Sequence, residues 1–467
     1  MKHSFLLCWG LVVTISCNAG EVRSASQIHR HTREKSHEEP KKKRFIVQVK
    51  NEKGRHSVES IVGTGTSQEI YKDFVSVDLD ETQIAALAQD EDILDLDEDT
   101  EWTVLGFREE DEALYPDESI HNRHLAEVVS YGIKDVQADL LNVGSSPVMV
   151  CLVDSGLAAG HPDINWAITS GVDRISNDGS PMPWDVDTNG HGTHISGVIS
   201  ARIDNDLGVR GIGNIPLFIA RALNDQQRAF QSDIMGAMRA CQQSGAKIIS
   251  VSLGGSYITR SMRDLIAELY DDGMLLVSAS GNDGKMRATY PAAHRDVISV
   301  TALKQGRELW EFSNTGPWIE MAAPGHRIYS TYPPDGYALY SGTSNAVPFV
   351  SGVAALVWSH FPTCRNTQIR YALAKTAQDL GEAGCDPTFG YGLVQARAAY
   401  EFLLASPCGE ADWGKVPVTG MCSTLIDPTA QPTTEPTMVC SFYYFCFATC
   451  SQRLCTTNAF FPILELF

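Results

Sequence analysis

Three short segments carry side chains suited to proton transfer and nucleophilic attack. Val153-Asp154-Ser155-Gly156 places a carboxylate at the end of an apolar run that reads as a strand. Sites in open parallel sheets gather beyond that end. Asn189-Gly190-His191-Gly192-Thr193-His194 brings two imidazoles to the start of a helical pattern, and Ser341-Gly342-Thr343-Ser344-Asn345-Ala346 sets a hydroxyl ahead of a long apolar helix. Taken singly, each has a plainer reading. An Asp before Gly is turn chemistry, and a Ser at that place is a helix cap. Two histidines three residues apart suggest metal ligands, although the Glu of the zinc-helix pattern is missing. Taken together they supply a carboxylate, a base and a nucleophile. A serine nucleophile needs a base to take its proton and a carboxylate to hold that base in one tautomer, and the three must converge in space.

The elements that must bring them together lie between Glu127 and Ala405. Apolar strand patterns over 148–153, 247–253, 274–279 and 297–301 alternate with helical patterns over 232–243, 261–270, 344–359 and 366–376. Such alternation predicts an α/β fold, a mainly parallel sheet covered by helices on both faces. Ahead of it, Phe45, Val47 and Val49 alternate as in a half-buried strand. Ile84, Leu87 and Ala88 follow at helical spacing, and strand-like runs occupy 93–96 and 102–105. A small α+β unit over 45–107 fits this pattern.

The flanking segments differ in character. Residues 1–20 carry Lys2, an apolar run and then small or polar residues, as a secretory signal peptide does. Residues 21–44 are polar and read as a flexible linker, ending in a basic run, Lys41 to Arg44, that is a candidate processing site. Residues 108–126 read as an acidic, irregular connection, and 406–467 as a Cys-rich tail with a Pro/Thr stretch. The net charge of -20 repels phosphate backbones and anionic lipid, which argues against nucleic-acid and membrane-surface partners. No stretch is long enough to span a bilayer. Of 12 cysteines, Cys8 and Cys17 leave with the leader, and the others enter an oxidising compartment where pairing is expected. Cys151 and Cys241 fall in buried patterns, and either pairing or free thiols suits them.

Val153-Asp154-Ser155-Gly156, His191-Gly192-Thr193-His194 and Gly342-Thr343-Ser344 resemble the three signature blocks of the subtilisin family, in that family's chain order. The resemblance spans 127–405 and, more loosely, 45–107. It implies a secreted serine endopeptidase in which Asp154 orients, His191 is general base and then acid, and Ser344 attacks the scissile carbonyl. Asn282, in Ser278-Ala279-Ser280-Gly281-Asn282-Asp283, resembles the family's side-chain oxyanion donor, with the Ser344 backbone N–H as the second donor. Ser252, Leu253 and Gly254 resemble the segment that pairs with substrate, and Ala279, Ser280 and Gly281 the opposite wall of its primary pocket. Tyr290-Pro291 resembles a position where the family has a cis peptide bond. His194 is expected to pack within its helix.

The same resemblance implies a structural Ca²⁺ held by Asp163 and by the loop of Ile203, Asn205, Leu207 and Val209, with Glu127 where a Gln is usual. It makes 45–107 an inhibitory prosegment whose end runs through the substrate cleft, with maturation between Phe107 and Glu127. Cys364 and Cys385 flank a helical stretch in a segment like the family's last core helices, and are expected to pair. Asn345 stands where most relatives carry Met. The expected partners are protein or peptide substrates and the chain's own prosegment, acting on a monomer; a ligand for the tail is not identified. The rival reading is a catalytically silent binding or adhesion protein on the same scaffold. An intact set of Asp154, His191, Asn282 and Ser344 argues against it, since a scaffold needs none of them.

Overall fold

The computed structural model describes residues 41–71, 73–105, 127–175 and 181–408. The signal peptide, most of the first linker, the connection 108–126 and the tail beyond Cys408 lie outside the described residues.

The first unit is an antiparallel sheet in the order β2-β3-β1-β4, made of β1 (Lys43–Val49), β2 (Gln68–Tyr71), β3 (Phe74–Leu79) and β4 (Ile93–Glu98). Helices α1 (Glu52–Val62) and α2 (Glu81–Leu87) cover it. Phe45, Val47 and Val49 face a core shared with Val58, Val75, Val77 and Leu79, as the alternation predicts. Asp80 caps α2 in a capping box with Gln83. Helix α1 has no counterpart in the sequence reading, because its apolar stripe is short, with Val58, Ile61 and Val62 near its C-terminal end and polar residues before them. Its start signal is Asn51, whose side chain accepts from the N–H groups of Lys53 and Gly54. Strand β1 begins at Lys43, so the end of the basic run belongs to the sheet, with Arg44 Nε 2.9 Å from Asp99 Oδ2, while Lys41, Lys42 and Lys43 are exposed.

A short helix, α3 (Tyr131–Asp135), opens the second unit. Its main sheet is seven-stranded and parallel, ordered β16-β15-β14-β12-β6-β10-β7. The strands are β6 (Val150–Asp154), β7 (Thr169–Val172), β10 (Leu217–Arg221), β12 (Ile248–Val251), β14 (Leu275–Ala279), β15 (Val297–Leu303) and β16 (Met321–Pro324). Every residue of β6 is buried, with Val150 and Leu152 in the core on one face, and Cys151 and Val153 in the core on the other. A two-sided strand therefore reads as an unbroken apolar run. The first face carries α4 (His191–Ser200), α7 (Thr343–Trp358), α8 (Asn366–Thr376) and α9 (Ala396–Ala405); the second carries α5 (Gln231–Gln243) and α6 (Arg260–Asp271). Small pairs complete the unit: β8 (Arg174–Ile175) with β9 (Pro181–Met182), and β17 (Ile328–Tyr332) with β18 (Gly336–Tyr340).

The first unit docks on the second face. Ile46, Phe74 and Trp102 join the core that contains residues of α5 and α6. Two carboxylates meet the starts of those helices: Asp99 Oδ1 accepts from Ser232 N at 3.1 Å, and Asp97 Oδ2 accepts from Ser261 N and Oγ at 3.0 Å each. Unsatisfied N–H groups and the helix dipole both favour negative charge there. Beyond Asp99 the chain forms β5 (Glu101–Val104), which pairs antiparallel between β11 (Arg228–Phe230) and β13 (Leu253–Gly254) of the second unit.

Cys151 is bonded to Cys241, tying β6 to α5. The expected Cys364–Cys385 bond is corrected: Cys364 is bonded to Cys408, and Cys385 is itself disulfide-bonded. Flanking the same helical stretch did not bring the two together, because α9 returns to pack beside α8 and delivers Cys408 to Cys364, with Cα atoms 5.2 Å apart. Closing this span of 44 residues stabilises by roughly 4 kcal/mol in the chain-entropy model. Non-reducing peptide mapping is expected to recover Cys364 linked to Cys408 and Cys151 linked to Cys241; a peptide joining Cys364 to Cys385 would contradict this structure.

Candidate active site

Asp154 ends β6 at the carboxyl edge of the sheet, and His191 opens α4 directly after Gly190. Gly190 has φ of 90°, and a Cβ there would lie 2.2 Å from the Tyr332 ring, so no other residue fits this entry to the helix. His191 Nδ1 lies 2.7 Å from Asp154 Oδ1, with the two side chains 0% and 2% exposed. A carboxylate in this position fixes the imidazole with its proton on Nδ1, which leaves Nε2 as the basic atom. Asp154 Oδ1 also accepts from Ser155 N at 2.7 Å.

Ser344 sits in the first turn of α7 and is fully buried. Its Oγ donates to the carbonyl oxygen of Leu105 and lies 3.2 Å from Ser252 O; it does not pair with His191. The same Leu105 oxygen accepts from Asn282 Nδ2 at 2.9 Å. Thr343 fixes the orientation of that amide, donating to Asn282 Oδ1 from its N at 3.0 Å and its Oγ1 at 2.7 Å. Sequence reasoning assigned Thr343 no part in this, although it lies inside the quoted Gly342-Thr343-Ser344 block. One carbonyl thus has an aimed amide N–H at its oxygen, which suits stabilisation of an oxyanion on that carbon, and the Ser344 hydroxyl lies against the same group.

Leu105 closes the strand that begins at β5. Leu253 is opposite Val104 and Gly254 opposite Thr103, and Leu105 N donates to Ser252 O at 3.2 Å. A Cβ on Gly254 would lie 3.4 Å from Leu105 Cδ1 and 2.4 Å from Tyr290 O, so the glycine leaves room for both. The Tyr290–Pro291 bond is cis. Ala279 belongs to the core against which Leu105 packs, while Ser280 Oγ turns to Asn314 O at 3.3 Å and Gly281 N donates to Thr343 Oγ1 at 3.2 Å. Trp102 is 1% exposed, its indole N–H donating to Tyr257 O at 2.9 Å beside Gly255. No sequence signal singled out Trp102 beyond a strand-like run.

His194 is fully buried, and burial pushes it down to about 3, so the ring is neutral; its Nε2 lies 3.1 Å from Ile328 O and 3.2 Å from Ala338 O. Asn345 is buried behind the nucleophile position.

Asp163, Asn205 and Glu127 gather at a second place, around the loop after α4. Asp163 is fully buried, and burial raises its carboxyl above the ordinary range. Its oxygens accept from Asn205 Nδ2 at 2.8 Å and Val209 N at 2.9 Å. Glu127 Oε1 accepts from Asp204 N at 2.7 Å, and its Oε2 lies 3.5 Å from Arg210, which also pairs with Asp204 at 2.8 Å. Among the described residues no donor reaches the carbonyls of Ile203, Leu207 or Val209. No cluster of three His, Cys, Asp or Glu side chains suited to a metal occurs among the described residues.

Residues 145–392 match the subtilase family model, peptidase family S8. The chain is 34% identical over 282 residues to subtilisin DY of Bacillus licheniformis, covering 59% of this chain and 99% of that protein. It is 31% identical over 358 residues to the minor extracellular protease Epr of Bacillus subtilis (strain 168), covering 76% of this chain and 54% of that one. Among solved structures, the psychrophilic subtilisin-like protease Apa1 from the Antarctic psychrotroph Pseudoalteromonas sp. AS-11 superposes with a TM-score of 0.56 at 24% identity, over 60% of this chain and 99% of that one, a likeness of fold. On the match of its second unit and the identity to these relatives, the chain belongs to the subtilase family and is a subtilisin-type serine endopeptidase.

Proposed function

We propose that Asp154, His191 and Ser344 are the catalytic triad, that Asn282 is the side-chain oxyanion donor, and that the first unit is an inhibitory prosegment cut at the Leu105–Gly106 bond. The observation that carries this reading is the Leu105 carbonyl, held by Ser344 Oγ and Asn282 Nδ2 at the end of a strand paired on both sides. That is the arrangement of a substrate acyl group. Ser344 Oγ gives its proton to His191 Nε2 and bonds to the Leu105 carbonyl carbon. The oxygen becomes an oxyanion and strengthens its bond with the Asn282 amide. Collapse breaks the C–N bond, and His191 returns the proton to the departing amine of Gly106. Water, deprotonated by His191, then releases Leu105 as a carboxylate and restores Ser344. Asp154 stabilises the imidazolium at both stages.

After cutting, β5 stays paired on both edges, so the freed segment still covers the cleft until it dissociates. The proposed bond lies just ahead of the interval from Phe107 to Glu127 expected from the sequence. The register that sets the Leu105 carbonyl at Ser344 supports this bond. Ser252, Leu253 and Gly254 line the substrate strand, with Ala279, Ser280 and Gly281 behind it. Secretion follows from the N-terminal pattern and accords with the extracellular protease among the relatives.

Calcium is the proposed structural cofactor. The loop carbonyls of Ile203, Leu207 and Val209 with the Asp163 carboxylate form an oxygen set of the kind Ca²⁺ takes. Asn205 fits less well as a ligand, since its Nδ2 donates to Asp163 and its Oδ1 accepts from Leu207 N at 3.1 Å. Glu127 fits less well, since Arg210 and Asp204 already engage it. The metal would supply charge balance for buried Asp163 and hold the loop to α4.

Ser344→Ala is expected to abolish peptide hydrolysis and to accumulate as a chain continuous across Leu105–Gly106, whereas the active protein begins at Gly106 or further on. N-terminal sequencing and intact mass read both; turnover by folded Ser344→Ala, or an active enzyme with residues 43–105 still covalently attached, overturns the reading. Asn282→Ala is expected to lower kcat by about 10²–10³-fold, the magnitude known for subtilisin's own oxyanion asparagine, with KM little changed. Steady-state kinetics that found kcat unchanged would remove Asn282 from the oxyanion site. Excess chelator is expected to lower the melting temperature and shorten the lifetime of the active enzyme, by loss of the linked stabilisation. An unchanged melting temperature and lifetime would dispose of the calcium site.

A further inference from the structure

Asp187 is 5% exposed and stands four residues ahead of His191, outside every block by which the site was found. Its Oδ1 accepts from Gly190 N and Ser155 Oγ at 2.9 Å each and from Asn189 N at 3.3 Å. Its Oδ2 accepts from Thr193 Oγ1 at 2.6 Å and Thr193 N at 2.8 Å. Every partner is a donor and both oxygens accept, which a carboxylate can do and an amide cannot.

These bonds bracket His191. Gly190 N is bound directly, and Gly192 N is bound through Ser155, whose Oγ accepts it at 2.9 Å while donating to Asp187. Ser155 in turn follows Asp154 and donates its own N–H to the carboxylate that holds His191. Thr193 Oγ1 accepts from Ala158 N at 2.9 Å, a second tie between the turn after β6 and the start of α4. Two backbone segments that share no secondary-structure ladder are therefore cross-braced through one buried carboxylate.

We infer that Asp187 is a positioning residue of the subtilase reaction, setting the Asp154–His191 pair through Ser155 and the first turn of α4. The inference rests on the proposed triad. Asp187 touches neither substrate nor the reacting atoms; it acts on where the imidazole points. Its loss leaves the substrate strand, which is bound by Ser252, Leu253 and Gly254, unaltered. The effect therefore falls on kcat rather than on KM, because a base displaced by a fraction of an ångström loses proton transfer and not binding.

The test measures kcat and KM on a peptide substrate, with active enzyme counted by burst titration, for Asp187→Asn, Ser155→Ala and Ser155→Thr. Asp187→Asn and Ser155→Ala are expected to lower kcat by about 10–10²-fold with KM within about two-fold of the parent. Ser155→Thr, which keeps the hydroxyl, is expected to recover most of the kcat lost in Ser155→Ala. Should Asp187→Asn fail to fold, the two Ser155 variants decide. A kcat within about two-fold of the parent in both lowered variants, or a Ser155→Thr enzyme no better than Ser155→Ala, overturns the inference. Ser344→Ala separates the two levels: if it is inactive while Asp187→Asn keeps full kcat, the triad stands and only the role of Asp187 falls.

Discussion

The buried contact between Asp154 and His191 sets how closely β6 and α4 must be held to one another. A carboxylate and an imidazole, both almost fully withdrawn from water, are held at 2.7 Å by two elements that arrive from different parts of the chain. Burial of a charge is costly unless it is paired and hydrogen-bonded, so the surroundings must be rigid. The two-sided core of β6 supplies one half of that rigidity, and the packing of α4 against α7 the other. Gly190 allows the helix to begin where the imidazole meets the carboxylate.

A second principle, strand addition, joins the end of the first unit to the second. The cleft offers β11 on one side and β13 on the other, and the chain's own β5 fills it. Docking of the first unit reuses helix chemistry: Asp97 and Asp99 sit at the starts of α6 and α5, while Arg44 balances Asp99. Trp102 anchors the inserted strand beneath Gly255, where any larger residue would collide with the indole.

Much of this was legible in the sequence. The strands β6, β12, β14 and β15 and the helices α5 to α8 follow from apolar runs and helical spacing, because burial on both faces leaves an unbroken signature. The local blocks named Asp154, His191, Asn282 and Ser344, and the structure sets Asp154 against His191 and both Asn282 and Ser344 at the Leu105 carbonyl. What escaped depended on partners far away in the chain. Helix α1 has too little apolar surface to announce itself, the bond from Cys364 to Cys408 depends on how α9 folds back, and Asp187 is an ordinary loop acid until its five donors are seen around it. The register of β5, which selects Leu105 as the residue at Ser344, is likewise a property of pairing and not of composition.

The most direct measurement of the central claim is covalent: treat the mature enzyme with a peptidyl phosphonate that carries the side chains of Trp102 to Leu105, and map the adduct by mass spectrometry. A stoichiometric adduct on Ser344 is expected, formed in step with the loss of activity. Full inactivation with the adduct on another residue, or a fully active enzyme bearing the adduct on Ser344, would contradict it.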